Sequence, residues 1–254
     1  MHRKIRVSIS IVSHGQGELV GHLLRDLQRH CTIPLEVILT LNIPEDLPFR
    51  PEDIRIPMRM IRNAGVRGFG ANHNAAFRHA HGDYFCVLNP DIRLGQDPFP
   101  VLFEQLTDPK VGVAGPLILN PAGSIEDSAR YFPTLFTLFK KALLRRNKQE
   151  LEITGAPLFP DWIAGMFMIF RVGVFRALGG FDERYFLYYE DVDLCMRLRH
   201  AGYEVVLLPQ VSAIHDARRR SHRNLRYLRI HATSLLRYLY RRQFYKYVRD
   251  VTPR

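Results

Sequence analysis

Residues 185–193, Tyr-Phe-Leu-Tyr-Tyr-Glu-Asp-Val-Asp, bring Glu190, Asp191 and Asp193 together among aromatic side chains where a helix begins. Carboxylates at a helix start cap free N–H groups and complement the helix dipole, but one acid suffices for that. Several acids crowded by aromatics are partly desolvated, which raises a carboxylate toward the range of a working general base. Asn89-Pro90-Asp91 directly follows the apolar run Tyr84–Leu88. An aspartate there forms a turn, or holds a hard divalent cation against a diphosphate.

Three further clusters carry possible chemistry. Arg62–Asn74 contains Asn63, Gly65, Gly68, Gly70 and Asn72 ahead of a helical pattern. Its spacing is Gly-x-x-Gly-x-Gly rather than the dinucleotide fingerprint Gly-x-Gly-x-x-Gly, so a phosphate cradle and close loop packing are both open. Asp161-Trp162-Ile163-Ala164-Gly165 holds the only tryptophan, either a core residue or an aromatic platform for a sugar. His215 follows the last strand pattern and is either a satisfied structural residue or a ligand.

The elements that must position these groups alternate along the chain. Val7–Val12 reads as a strand, Glu18–His30 as a helix, Leu35–Leu41 and Met58–Ile61 as strands, Gly68–His81 as a helix and Tyr84–Leu88 as a buried strand. Such alternation predicts a parallel, doubly wound sheet, which binds ligands at the carboxyl ends of its strands. Further on, short strands are expected at Val111–Ala114 and Leu117–Leu119 around Pro116, one strand over Asp161–Arg171, and another over Tyr203–Leu208 that ends at Pro209. Helices are expected over Pro133–Arg146, Val172–Leu178, Asp191–Gly202 and Asn224–Val248.

Charge is unevenly distributed: residues 216–254 hold 12 Lys/Arg and 2 Asp, net +10, whereas the preceding 215 residues carry only +1. The expected organisation is therefore a catalytic domain over residues 1–215 and a basic amphipathic helical segment over 216–254. Three scattered cysteines suit neither a disulfide framework nor a zinc site and point to a reducing cytosol. Met1-His2-Arg3-Lys4 runs straight into a strand, which predicts no signal peptide, and no apolar run approaches the ~20 residues of a spanning helix.

In this order and spacing the clusters resemble the inverting family 2 glycosyltransferases of the GT-A fold, and among them bacterial rhamnosyltransferases. The resemblance extends from about Val7 to about Tyr240. It rests on Asn63-x-Gly65-x-x-Gly68-Phe69-Gly70-x-Asn72-x-Asn74, Leu88-Asn89-Pro90-Asp91, Gly179-Gly180-Phe181-Asp182-Glu183 with Tyr188-Tyr189-Glu190-Asp191-Val192-Asp193-Leu194, and Ile214-His215. It implies an α/β, Rossmann-like nucleotide-diphospho-sugar transferase fold with a mixed sheet flanked by helices and a basic C-terminal helix. It also implies a divalent metal, Mg2+ or Mn2+, at Asp91 and His215, and Asp191 as catalytic base with Glu190 as second candidate. Nucleotide-sugar contacts are implied for Ser13, Asn42, Asn63, Gly65, Gly68, Asn72, Asn89 and Asp91, and acceptor contacts for Trp162 and Gly165. Two departures leave the nucleotide open: Leu41-Asn42 stands where Asp-Asn is usual, and Ser13-His14-Gly15 lacks the usual asparagine.

The expected reaction is transfer of a sugar, L-rhamnose first, from a nucleotide diphosphate to a hydroxyl of a glycan or lipid-linked saccharide in bacterial cell-surface polysaccharide synthesis. dTDP-rhamnose is the favoured donor and a UDP-sugar the other. The basic helix suits an anionic membrane surface, and reads equally as a solvated helix packed on the domain by one stripe. The expected location is the cytoplasm, at the inner face of the cytoplasmic membrane in the first case. A nucleic-acid-binding protein would leave the acidic cluster unexplained, because those carboxylates repel phosphates. A catalytically silent sugar-binding homologue is the other alternative, opposed by the presence of Asp91, Asp191 and His215.

Overall fold

The structure, a computed structural model, describes residues 6–134, 151–216 and 225–249. Strand β1 (Val7–Ser13) pairs in parallel with β2 (Leu35–Leu41), and β2 with β3 (Met58–Arg62). On its other side β1 pairs in parallel with β4 (Tyr84–Leu88). β1, β2 and β4 are buried on both faces, although one face of β1 and β2 carries Ser8, Ser10, Glu36 and Thr40, while the edge strand β3 is only partly covered. Helix α1 (Gly17–His30) buries Leu19, Val20, Leu23, Leu24 and Leu27 along one stripe, and α2 (Phe69–Phe77) leads into β4.

The second half departs from the purely parallel pattern. After β5 (Ile92–Arg93), α3 (Phe99–Gln105), β6 (Val111–Leu119) and the short β7 (Ala129–Arg130) come β8 (Trp162–Ile163) and β9 (Phe167–Arg171). Helices α4 (Val172–Ala177) and α5 (Glu190–His200), strand β10 (Glu204–His215) and helix α6 (Leu225–Arg249) complete the described residues. One eight-stranded sheet has the order β3-β2-β1-β4-β9-β6-β10-β5, and β7 with β8 form a separate ribbon. Strand β9 is antiparallel to both β4 and β6, and β5 is antiparallel to β10, so the sheet is mixed rather than doubly wound and parallel throughout.

Three sequence expectations change for identifiable reasons. Asp161–Arg171 is two strands, because Ala164-Gly165-Met166 leaves the ribbon to approach helix α5 before β9 enters the main sheet. β6 is continuous through Pro116. β10 runs past Pro209 to His215, because a register shift between Leu208 and Ser212 against β6 takes the proline without a ladder hydrogen bond. The helix expected at Pro133–Arg146 lies almost wholly outside the described residues.

Two apolar clusters occupy the two faces of the sheet. One joins α1 and α3 through Leu23, Leu24, Leu27, Phe99 and Leu102. The other joins α4, α5 and α6 through Phe175, Leu194, Leu198 and Tyr238. Helix α6 is thus packed on the body by one stripe: Ser234 donates to the Leu187 carbonyl at 2.9 Å, and Arg241 pairs with Asp193 at 2.9 Å and with Asp182. Among the described residues no helix is long and apolar enough to cross a membrane.

Asp26 of α1 grips Arg93 of β5 through two hydrogen bonds, 2.6 and 3.0 Å, and accepts the Leu94 amide at 3.1 Å. This clamp fixes the short segment that follows Asp91. Burial opposes ionisation of Asp26, but the Arg93 and Leu94 bonds outweigh it and hold the carboxyl below its ordinary value. The clamp's stabilisation is therefore complete above pH ~4 and lost as pH falls through the lowered pKa of the folded state. Asp26→Asn is expected to cost about 1 kcal/mol at pH 7, allowing for the solvent exposure of Arg93. Urea melts of the two proteins should converge at strongly acidic pH.

Candidate active site

The parallel strands deliver the candidate residues to one edge. Ser13 lies opposite Leu41, and Leu41 opposite Arg62, so Ser13, Asn42 and Asn63 end neighbouring strands on the same side. Asn89 follows β4 there, and β9 starts opposite Leu88, which brings Gly165 and Met166 to the same edge. His215 ends β10 opposite Ile92 of β5, one residue from Asp91.

Asp91 and His215 meet across this edge. Asp91 Oδ2 lies 3.3 Å from His215 Nε2, and His215 Nδ1 bonds Glu126 Oε2 at 2.7 Å. Burial disfavours charge on the ring, but the two carboxylates outweigh it and raise His215 to about 9. Asp91 Oδ1 is buried with no hydrogen-bond partner among the described residues. A buried carboxylate oxygen without a donor needs a cation or water, and Asp91 with His215, once a metal displaces the proton from the ring nitrogen, is a suitable partial donor set for Mg2+ or Mn2+. No three His, Cys, Asp or Glu side chains are grouped to hold a metal unaided among the described residues. The remaining ligands would have to be oxygens of a bound diphosphate and water.

The loop from Asn63 to Gly68 is held by an amide network. Asn63 Nδ2 donates to Asn42 Oδ1 at 2.9 Å and to Asn72 Oδ1 at 2.7 Å, while Asn42 Oδ1 also accepts the Arg67 amide at 2.8 Å. Asn42 and Asn72 both donate back to the Arg67 carbonyl. Ser13 is buried, with its Oγ accepting the Gln16 amide at 3.1 Å at the start of α1. Next to these residues a cleft of about 490 Å³ is lined by Leu41, Ile43, Pro44, Glu45, Asp46, Arg62 and Asn63. Gly65 faces open space, whereas Gly68 lies tight beneath Phe186.

The acids of α5 separate into three environments. Asp193 is fully buried and ion-paired with Arg197 at 2.8 Å and Arg241 at 2.9 Å; Arg197 also binds the Leu178 and Gly180 carbonyls, tying α5 to the glycine turn. Asp193 is a strut. Glu190 is only 5% exposed, and its Oε2 has no partner among the described residues. Burial first, and the adjacent Asp191 charge second, push it well above the ordinary range for glutamate. Asp191 is only partly buried; its Oδ2 accepts the Gly165 amide at 2.9 Å and its Oδ1 the Val192 amide at 2.8 Å. Burial raises Asp191 too, but these backbone donors oppose the shift. Of the two neighbours, Glu190 is the one driven harder toward the neutral form, while the backbone donors on Asp191 favour its charged form.

Tyr188 and Tyr189, immediately before Glu190, both have left-handed backbone, with φ of 69° and 67°. For non-glycine residues that conformation costs about 1–3 kcal/mol each and persists only under strong constraint. The constraint comes from α6: Tyr238 stacks on Tyr189 at 5.5 Å, and the His231 ring lies 5.3 Å from each tyrosine. Trp162 is half-buried, donating from Nε1 to the Tyr131 carbonyl at 3.2 Å. Three participants had no local sequence signal: Glu126 behind His215, Asp26 behind Arg93, and buried His73. His73 Nδ1 shares a 2.7 Å hydrogen bond with Ser10, and burial holds the ring to about 3, so it is neutral.

A parallel nucleotide-binding half, an antiparallel β9 and acids converging on one sheet edge define a nucleotide-diphospho-sugar transferase of the GT-A type. The structure of GalNAc-T7 with UDP, GalNAc and Mn2+ aligns with a TM-score of 0.65, covering 86% of this chain and 45% of that one at 15% identity. The mannosyltransferase PcManGT from Pyrobaculum calidifontis, in complex with GDP-Man and Mn2+, aligns with a TM-score of 0.60, covering 87% and 59% at 16% identity. The chain thus spans 45% and 59% of those two proteins, and the likeness is one of fold.

The sequence pattern described as "Glycosyl transferase family group 2" matches residues 84–249, and the chain belongs to this family of inverting glycosyltransferases. Rhamnosyltransferase WbbL of Escherichia coli K12 is 35% identical over 252 residues, covering 93% of this chain and 94% of that protein. N-acetylglucosaminyl-diphospho-decaprenol L-rhamnosyltransferase of Mycobacterium tuberculosis H37Rv is 34% identical over 228 residues, covering 80% and 74%.

A Cβ on Gly68 would lie 2.7 Å from the Phe186 carbonyl oxygen, which itself accepts the Phe69 amide. Because the obstacle is backbone, no rotamer change relieves it. Gly68→Ala is expected to destabilise the protein by about 1–3 kcal/mol, measured by chemical denaturation.

Proposed function

We propose that the protein transfers L-rhamnose from a nucleoside diphosphate, thymidine diphosphate first, to a hydroxyl of a lipid-linked saccharide, with inversion at the anomeric carbon. The observation that carries this reading is the Asp191 carboxylate, fixed by the Gly165 and Val192 amides beside the buried Glu190. The substrate class follows the two rhamnosyltransferase relatives, one of which is named for a diphospho-decaprenol-linked acceptor. Such an acceptor places the enzyme at a membrane surface.

In this mechanism Asp191 accepts the proton of the attacking hydroxyl, and the new bond forms on the face opposite the departing diphosphate. General-base help of this kind is worth ~10²–10⁴-fold. Glu190 remains neutral and buried, so the base stands beside no second negative charge. Asn42, Asn63 and Asn72 hold the Arg67 loop against the nucleotide side of the cleft, and Trp162 and Gly165 lie on the acceptor side. Asp91 and His215 would hold a divalent metal, which when bound neutralises charge on the diphosphate leaving group. The unpartnered Asp91 Oδ1 supports that assignment.

Transfer from dTDP-L-rhamnose to a lipid-linked N-acetylglucosamine acceptor tests the reading, followed as radiolabel in the lipid fraction. Asp191→Asn is expected to lower kcat by about 10²–10⁴-fold with donor affinity retained, since it removes only proton acceptance. Glu190→Gln, which mimics the protonated side chain, is expected to stay within about tenfold of wild type. Equal losses in both variants would contradict the division of roles. Asp91→Ala is expected to abolish the thermal stabilisation that thymidine diphosphate confers in the presence of Mn2+, while leaving the melting point of the free protein unchanged within a few degrees.

A further inference from the structure

Helix α6 has a second face that its packing on the described residues of the body does not use. Ser234 and Tyr238 are buried, whereas Leu225, Leu228 and Leu236 are 77%, 58% and 66% exposed. With exposed Ala232 these leucines follow at steps of three, four and four residues, one stripe of an α-helix. At 3.6 residues per turn that stripe lies across the helix from Ser234 and Tyr238. Arg229, on the same outward side, is exposed. Over Leu225–Arg249 the sequence has seven Lys/Arg and no Asp or Glu.

An exposed leucine row with the exposed Arg229 beside it, on a helix that has no acidic residue and is not apolar enough to span, complements the interface of an anionic bilayer. Arginines meet the headgroups and leucines lie beneath them. A second copy of the same face is a poorer fit, since each would bring its own cations against the other's. We propose that the outward face of α6 docks the enzyme, in plane, on an anionic lipid surface.

This inference rests on the lipid-linked acceptor reading and sharpens it. The inward face of the same helix holds the segment before the catalytic base, through Ser234 on Leu187, Tyr238 on Tyr189, and His231 on Tyr188 and Tyr189. The bilayer surface then lies about one helix diameter, ~10 Å, from that segment. An acceptor sugar on a diphosphate stalk reaches the site while its lipid stays in the membrane.

Flotation of the full chain with phosphatidylcholine vesicles, with and without phosphatidylglycerol, tests the surface. Wild type is expected to float with anionic vesicles at least about tenfold more than with neutral ones, and to be released by high salt. Leu228→Gln with Leu236→Gln, both at exposed positions, is expected to lose about tenfold or more of that binding while its melting point and nucleotide affinity match wild type. Undiminished flotation of this variant overturns the proposal, as does failure of the wild type to float. A wild-type dimer by light scattering that the same substitutions dissociate also overturns it and assigns the face to a subunit contact. Intact vesicle binding without sugar transfer instead defeats the substrate reading and leaves the surface standing.

Discussion

The hydrogen bond from the Gly165 amide to Asp191 joins two parts of the chain that pack on different elements. Gly165 sits in the break between β8 and β9, where a Cβ would approach the Phe69 ring to 3.1 Å. The break exists because the chain leaves the two-stranded ribbon and re-enters the main sheet antiparallel to β4. That antiparallel entry brings a backbone donor to Asp191, the proposed base, at the edge where the parallel strands end. A sheet parallel throughout would carry this segment to the opposite edge.

Around that bond, environment rather than residue type sets the role of each acid. Asp193 is neutralised by Arg197 and Arg241 and holds α5 to the glycine turn and to α6. Glu190, buried with its Oε2 unpartnered among the described residues, is pushed toward the neutral acid. Asp191 alone keeps oriented backbone donors together with partial access. The left-handed Tyr188 and Tyr189 are the local cost of this placement, and α6 offsets it by stacking on them. The C-terminal helix is therefore part of the active-site scaffold as well as the most basic part of the chain.

Much of this was legible in the sequence because it depends on local periodicity. Alternation in Val7–Ser13, the leucine stripe of α1 and the apolar run of Tyr84–Leu88 identify elements whose ends must carry Ser13, Asn42 and Asp91. The acids at 190–193 were visible as a group. Their division was not, because it depends on Arg241, 48 residues from Asp193, and on the Gly165 amide, 26 residues from Asp191. Glu126 behind His215 is 89 residues away and carries no spacing signal. The proline at 209 read as a strand end because a bulge, which depends on the partner strand, cannot be seen in one strand's sequence.

A single displacement assisted by a carboxylate base has a stereochemical consequence that a double displacement through a glycosyl intermediate does not share. The most direct measurement is the anomeric configuration of the transferred sugar, read by NMR from the one-bond C1–H1 coupling of the product and of the donor. Attack by an acceptor hydroxyl deprotonated by Asp191 predicts a product of opposite configuration to the donor. Retention of the donor's configuration would contradict it, since that outcome requires either a covalent glycosyl intermediate or attack on the face that the diphosphate leaves.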